Sequence, residues 1–258
     1  MILEGRTISK GKAEGKVLKL NGALSFLGGV DASTGELKVE NGGNVAERIL
    51  VFPRGKGSTV GSFVMYDLKV HGKAPSAVIN ASAETIVATG AVISSIPMID
   101  SVDVELIKDG DEVIVNADAG TVEIKDVVMK ESVSSMILID GKIMALKRPD
   151  TSRSFPGVWS LCTGKIEKGE SPEQTAVREI EEETKITKLE KKGSLPPFTV
   201  REKNVVWKVH PFLFCADGCT PVLNHENVEY RLIERSELDA MPTVEKTTYI
   251  VDEFLKKV

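Results

Sequence analysis

Apolar residues recur along this chain in two rhythms. In the first half they form short runs: Ile49-Leu-Val-Phe52, Ser76-Ala-Val-Ile79, Thr85-Ile-Val-Ala88 and Glu112-Val-Ile-Val115, bounded by Gly, Asp, Asn or Pro. Partly β-branched runs of this length predict strands. Asp109-Gly110 and Ala119-Gly120 flank the last of them, so residues 112–124 read as a hairpin. One stretch keeps helical spacing instead. From Thr59, apolar residues fall at Val60, Phe63, Val64 and Leu68, and His71-Gly72 closes the run with a glycine just past the helix end.

Lys130-Glu131-Ser132 separates two apolar segments, which places a boundary between Val128 and Ser135 and divides the chain into residues 1–128 and 129–258. Beyond it, Met136-Ile-Leu-Ile139, Asp140-Gly141 and Lys142-Ile-Met-Ala-Leu146 spell a second hairpin. A long helix is predicted over Pro172–Thr184, strands near Val205–Phe214 and Tyr230–Ile233, and a last helix over about Val244–Lys257. The long helix has a clear start, since Ser171 can cap, Pro172 suits the first position and Gln174 completes a capping box. Ala176, Val177, Ile180 and Thr184 form its expected buried stripe, while Glu179, Glu182 and Glu183 gather on one face. Each like-charge pair costs roughly a few tenths of a kcal/mol on an exposed helix. Arg178 reaches Glu182 at i+4 but cannot neutralise all three carboxylates; a divalent cation can.

Composition narrows the classes. The chain has 258 residues, 41% hydrophobic and 28% charged, which suits two globular domains with real cores. Apolar runs are too short for a membrane span and Met1-Ile-Leu-Glu-Gly-Arg6 shows no secretory leader, so no membrane partner and a cytoplasmic location are expected. Net charge is −5 and the basic residues are scattered, which argues against nucleic acid as a ligand. Three cysteines, Cys162, Cys215 and Cys219, suit a reducing compartment without a disulfide framework.

Two stretches carry chemistry. Pro53-Arg54-Gly55-Lys56-Gly57-Ser58-Thr59-Val60-Gly61-Ser62 joins a strand to a helix. Its glycines let backbone amides approach an anion, the helix start favours negative charge, and Arg54 and Lys56 add cations, so an anionic small molecule is expected there. The lysine-serine ending of a P-loop is absent. In the second half, Gly164, Glu170, Arg178-Glu179-Ile180 and Glu182-Glu183 stand at the intervals of the Nudix box. Eight of its nine specified positions match; Lys185 stands where that box has glycine, and Cys162-Thr163-Gly164 replaces its usual Pro-Gly-Gly.

Residues 130–258 thus resemble the Nudix family, which implies an α/β/α sandwich that hydrolyses a phosphoanhydride in a diphosphate linked to another group. By position the resemblance makes Glu179, Glu182 and Glu183 Mg²⁺ ligands, with Glu182 chosen as catalytic, Glu226 and Glu229 as further candidate acids, and Gly164 as a loop turn. Lys185 lacks glycine's freedom and is expected to strain or lengthen the helix end.

Leu24-Ser-Phe-Leu-Gly-Gly-Val-Asp31, the Pro53–Ser62 stretch, Ala74-Pro75 and Ser95-Ile96-Pro97 resemble, in that order, the small subunit of the aconitase X family. That likeness covers residues 1–125 and implies a swivelling β/β/α domain, so the fold class for the whole chain is α/β in two domains. In archaea that subunit serves a phosphomevalonate dehydratase, a hydro-lyase of the mevalonate route to isoprenoids. The resemblance makes Ser62 the proton-accepting catalytic residue, with Ser58 as the alternative, and Arg54, Ser58 and Thr59 the ligands of a phosphorylated substrate. It also implies an iron–sulfur cluster. Residues 1–161 contain no cysteine, so the cluster and its cysteines are expected on a separate large subunit in a hetero-oligomer. Two other readings stay open at this point: a Mg²⁺-dependent hydrolase of a nucleoside or isoprenoid diphosphate with a regulatory first domain, and a non-catalytic assembly module.

Overall fold

A computed structural model of the chain describes residues 1–39, 42–152 and 154–257. It separates into two compact units, Met1–Val128 and Met129–Val258. Both are mixed α/β, as expected.

The first unit contains β1 (Ile2–Glu4), β2 (Arg6–Ser9), β3 (Lys12–Lys19), a short turn of helix α1 (Phe26–Gly29), β4 (Ile49–Phe52), α2 (Gly61–Val70), β5 (Ala77–Asn80), α3 (Thr85–Ile93), β6 (Met98–Asp100), β7 (Glu112–Asn116) and β8 (Thr121–Ile124). The strands hydrogen-bond in the order β1-β8-β7-β3-β4-β5-β6-β2. The segment from β3 through β6 is parallel, and the flanking pairs are antiparallel. Strands β1 and β2 lie at opposite ends of that order, yet only Gly5 separates them, so the sheet curls around. A Cβ at Gly5 would lie 2.5 Å from the Asp100 carbonyl oxygen, which excludes any larger residue from the crossing.

β4 is apolar throughout and β5 is apolar up to its last residue, Asn80, as suits strands with both faces buried. Leu50, Phe52 and Val78 join Met65 and Leu68 of α2 and Val87 and Ala91 of α3 in one core. Ile49, Val51 and Ile79 alternate to the other side and are equally buried.

Thr85–Ala88, expected as a strand, is the first turn of α3. Its β-branched residues mimic a strand, but burial follows helical spacing at Val87, Gly90 and Ala91. Gly90 is where α2 comes close: a Cβ there would stand 2.5 Å from the Met65 sulfur. Helix α2 itself begins two residues later than expected, after a turn at Thr59 and Val60.

The second unit contains β9 (Val128–Ile139), β10 (Lys142–Lys147), β11 (Trp159–Ser160), β12 (Cys162–Lys165), α4 (Pro172–Thr184), β13 (Glu190–Ser194), β14 (Phe198–Glu202), β15 (Val205–Cys215), β16 (Glu229–Ile233), α5 (Arg235–Leu238) and α6 (Thr247–Leu255). Its central path runs β11-β10-β9-β15-β13, with β12 on β9, β14 on β15 and β16 on β10. Alternation along β9 and β10 fills two layers. Met136, Leu138, Ile143 and Ala145 meet Ile250, Val251 and Phe254 of α6, whereas Ile137, Ile139, Met144 and Leu146 meet Ala176 and Ile180 of α4. Helix, sheet and helix are therefore stacked as expected.

Three expectations are corrected here. Lys130-Glu131-Ser132 is not a break between strands; these residues belong to the continuous strand β9, whose Ser132–Ser135 stretch is paired to β12. Val177 is not part of the buried stripe of α4 but is 39% exposed. The last helix is shorter than expected, spanning Thr247–Leu255. The capping box at Ser171 is present in both directions, with Gln174 N donating to Ser171 Oγ at 3.3 Å and Ser171 N donating to Gln174 Oε1 at 2.9 Å.

Candidate functional site

In the first unit the chemistry-bearing loop leaves the carboxyl end of β4, beside the turn that leaves β5. Open parallel sheets place ligands at such ends. The two connections are sewn together: Ala81 N and Ser82 N both donate to the Pro53 carbonyl at 3.1 Å, and Asn80 Nδ2 donates to the Phe52 carbonyl at 2.7 Å. On its other side the loop pairs with Leu24, whose N–H donates to the Arg54 carbonyl at 3.1 Å and whose carbonyl accepts from Lys56 N at 2.9 Å. Gly55 sits tight against α3, for a Cβ there would lie 2.4 Å from Val87 Cγ2 and 3.2 Å from Glu84 Oε2. Gly57 adopts φ 109°, which side chains other than glycine's rarely tolerate.

Arg54, Ser58 and Thr59 are exposed on this loop. Ser62 is the second residue of α2 and is nearly buried, and its hydroxyl donates to the Thr59 carbonyl at 2.8 Å. Ser58 Oγ accepts weakly from Val60 N at 3.4 Å. Among the described residues no hydrogen bond or ion pair joins Arg54 to Ser62, so the helix start is the group that can favour negative charge on the serine oxygen. Sequence reasoning missed two buried acceptors on the neighbouring turn, Asn80 Oδ1 and Glu84 Oε2, which have no hydrogen-bond partner. No spacing in the sequence singles them out.

The second site lies where α4 passes β12. Arg178 organises it. Its Nε and Nη2 donate to the two oxygens of Glu170 at 2.8 and 3.0 Å, and its Nη1 stands 2.9 Å from Glu179 Oε1 and 3.1 Å from Glu182 Oε2. Thr175 Oγ1 adds a bond to Glu170 at 2.8 Å, and hydrogen bonding from Arg178 holds the Glu170 carboxyl down at about 2. Gly164 is not a turn: it lies within β12, and its missing side chain makes room for Glu179. A Cβ at Gly164 would stand 2.0 Å from both Cγ and Cδ of that glutamate.

Glu179 and Glu183 are nearly buried while Glu182 is exposed. Burial pushes the Glu183 carboxyl up to about 7, despite the hydrogen bond from Asn227 Nδ2 at 2.7 Å, with Glu226 and Glu179 adding repulsion. Burial also raises Glu179, and Glu182 and Glu226 push the same way. The three carboxylates are not drawn together as a ready metal cage among the described residues. Glu179 and Glu182 share Arg178, and Glu183 is turned to Asn227.

A cavity of about 480 Å³ opens beside Glu179, Glu182 and Glu226, walled further on by Arg148, Phe155, Phe198 and Trp207. Glu229 is elsewhere, in β16, where it accepts from Arg231 Nε at 2.7 Å. Helix α4 ends at Thr184 without lengthening, and Lys185 takes the left-handed conformation, φ 58° and ψ 17°, that glycine would adopt freely. Asn227 and Arg148 were missed in the sequence, since neither belongs to the box.

The comparisons with known proteins divide at the same place. The aconitase X swivel domain matches residues 2–124, and the NUDIX domain matches residues 129–254. The first half is 58% identical over 128 residues to the phosphomevalonate dehydratase small subunit of Thermococcus kodakarensis, covering 48% of this chain and 96% of that protein. It is 53% identical over 130 residues to the corresponding subunit of Thermococcus onnurineus, covering 49% of this chain and 100% of that protein. Among solved structures, Thermococcus kodakaraensis aconitase X is similar at 57% identity, covering 48% of this chain and 98% of that one, with a TM-score of 0.47. The MutT protein of Methanosarcina mazei is similar at 24% identity, covering 51% of this chain and 96% of that one, with a TM-score of 0.44.

Proposed function

The chain belongs to the phosphomevalonate dehydratase small-subunit family through its first domain, a NUDIX domain follows, and on that premise we propose a hydro-lyase. It serves as the small subunit of a cytoplasmic enzyme that removes water from (R)-5-phosphomevalonate to give trans-anhydromevalonate 5-phosphate. One observation carries this reading: Ser62, in the first turn of α2, stands behind a glycine-bearing anion loop on a domain without a single cysteine.

Ser58, Thr59 and Arg54, exposed on the loop, receive the substrate's phosphate or carboxylate at the helix start, where the positive dipole end favours an anion. Ser62 takes the proton from the carbon next to the one that loses its hydroxyl. To do so it first gives to solvent water the proton it now donates to the Thr59 carbonyl, the helix start favours the resulting oxyanion, and that proton ends on the departing hydroxide as water. The C–H electron pair becomes the new double bond, and the hydroxyl departs with the C–O pair.

This chain does not suit an iron–sulfur cluster. Its three cysteines all lie in the second domain, Cys162 is buried with its thiol far above the usual range, and burial raises Cys215 and Cys219 as well. The cluster therefore belongs to the large subunit, and no step on this chain passes through it.

In the second domain Glu179, Glu182 and Glu183 would hold Mg²⁺, with Glu182 accepting the proton of the attacking water. The donor set fits: these are hard oxygens, and burial raises the carboxyls of Glu179 and Glu183, so a cation bound there relieves the cost of keeping them charged. Mg²⁺ bound there supplies charge neutralisation at the phosphates and a more acidic water. Glu170 and Thr175 hold Arg178, which in turn aligns Glu179 and Glu182. The substrate class is a nucleoside or isoprenoid diphosphate linked to another group.

The test mixes the purified chain with the cluster-bearing large subunit and phosphomevalonate and follows the dehydrated product by mass spectrometry. Product that requires both polypeptides supports the reading, and none from the pair overturns it. Phosphate release from a panel of diphosphates, dependent on Mg²⁺ and lost in Glu182→Gln, tests the NUDIX site.

A further inference from the structure

Glu183 is gripped by a segment that lies outside the box. Val222 N donates to the Thr184 carbonyl at 2.8 Å and Asn224 N to the Glu183 carbonyl at 3.2 Å, so residues 222–224 satisfy the end of α4. Three residues on, Asn227 Nδ2 donates to Glu183 Oε2 at 2.7 Å. Asn227 is 7% exposed and Glu183 4%, so water does not compete for this bond. A carboxylate oxygen accepts, which fixes the amide with its nitrogen towards Glu183 and leaves Oε1 outside the bond. Arg178 treats the other two glutamates differently. It stands 2.9 Å from Glu179 Oε1 and 3.1 Å from Glu182 Oε2, and as a cation it competes with a metal for their charge. Asn227 is neutral, so it orders Glu183 without neutralising it.

We propose that Asn227 is a positioning residue of the NUDIX metal site: it holds Glu183 Oε2 and so sets Oε1 for a divalent cation. The inference rests on the reading of Glu183 as a Mg²⁺ ligand and adds the residue that orders it. A glutamate side chain has several rotatable bonds, and fixing them beforehand spares the cation the cost of ordering its ligand. Hydrogen-bond partners of metal ligands act in this way, and their loss typically lowers metal affinity by about 10–100-fold. The same segment places a fourth acid. Glu226 N donates to Asn224 Oδ1 at 2.9 Å, and Glu226 faces the cavity with Glu179 and Glu182. Asn224 and Asn227 therefore bracket that acid, one holding its backbone and the other tying the segment to Glu183.

The experiment uses the full chain, stripped of metal and dialysed, with Mn²⁺ as the probe and its binding read by the paramagnetic resonance of the free ion. Asn227→Leu keeps a side chain of similar size without the donor, and Asn227→Ala removes it. Each is expected to weaken Mn²⁺ binding by about 10–100-fold. The Mg²⁺ concentration for half-maximal hydrolysis of the diphosphate panel should rise by a similar factor, while KM for the diphosphate at saturating Mg²⁺ stays near wild type. Val228→Ala, at a neighbouring position that is 61% exposed, is expected to bind Mn²⁺ as wild type. Adding Asn227→Leu to Glu183→Gln should cost little more than Glu183→Gln alone, since both changes act on one ligand. Unchanged or tighter Mn²⁺ binding in either Asn227 variant that still melts cooperatively overturns the proposal, and tighter binding makes the amide a competitor of the cation. Loss of cooperative melting in both variants also overturns it, in favour of a purely structural bond. Wild-type Mn²⁺ binding in Glu183→Gln overturns instead the underlying reading of Glu183 as a ligand.

Discussion

Glu179 lies where a side chain at position 164 would have to go, and Gly164→Ala exploits this. The new methyl carbon would stand 2.0 Å from Glu179 Cγ and Cδ and 2.2 Å from Oε1. Ordinary carbon contacts are about 3.5–4.0 Å, so the glutamate must retreat by about 1.5 Å or more. The atoms met are the far end of a flexible side chain rather than backbone, so α4 can stay in place while the carboxylate turns away from Arg178. The stability cost is that of modest overpacking, about 1–2 kcal/mol. The effect on chemistry is larger, because a displacement of about 1 Å in a positioned group can cost on the order of 100-fold in rate. Mg²⁺-dependent hydrolysis of the diphosphate panel, run beside thermal melts, separates the two effects. Gly164→Ala is expected to lose about 100-fold in kcat/KM while still melting cooperatively. Adding Glu179→Gln should then cost little more, since both changes disable the same carboxylate. Wild-type turnover in Gly164→Ala would refute the placement of Glu179 in the machinery.

Other outcomes follow from the same geometry. Gly55→Ala drives a methyl to 2.4 Å from Val87 Cγ2, lifting the anion loop off α3, and is expected to cut dehydration on the order of 10-fold or more with large-subunit binding retained. Lys185→Gly relieves a left-handed lysine, φ 58°, and should stabilise the NUDIX domain by about 1 kcal/mol in denaturant titration. The Glu183 carboxyl sits at about 7 when folded against an ordinary 4.5, so the folded state holds its proton more tightly than the unfolded state. Its contribution is fully present below pH 4.5 and is lost as pH rises through about 7, by roughly 3 kcal/mol at 1.4 kcal/mol per tenfold. Melts in EDTA at pH 5 and 7.5 should show that fall, Glu183→Gln should flatten it, and Mg²⁺ should oppose it.

The elements legible in the sequence are those whose local signals agree with their packing. Ser171, Pro172 and Gln174 announce α4, and β9 and β10 read as strands because their apolar runs serve two buried faces at once. Thr85–Ala88 misleads because β-branched residues favour strands locally, whereas Gly90 against Met65 makes the segment a helix only in three dimensions. Box spacing found Gly164, Glu170, Arg178 and the glutamates, but it assigned Gly164 to a turn. Its real constraint is a neighbouring side chain, which spacing cannot reveal. Asn227 was hidden for the same reason: it sits 44 residues from Glu183, and only the fold joins them. Conversely, the acidic run around it pointed to Glu226 and Glu229 alike, and the register of β16 leaves only Glu226 at the cavity.

The most direct measurement replaces Ser62 with alanine in the reconstituted pair and follows dehydration of phosphomevalonate, with Ser58→Ala alongside. Loss of the hydroxyl that takes the proton should lower kcat by about 1000-fold with subunit association unchanged, while Ser58→Ala mainly raises KM. Undiminished turnover in Ser62→Ala would contradict the assignment of the base to the start of α2.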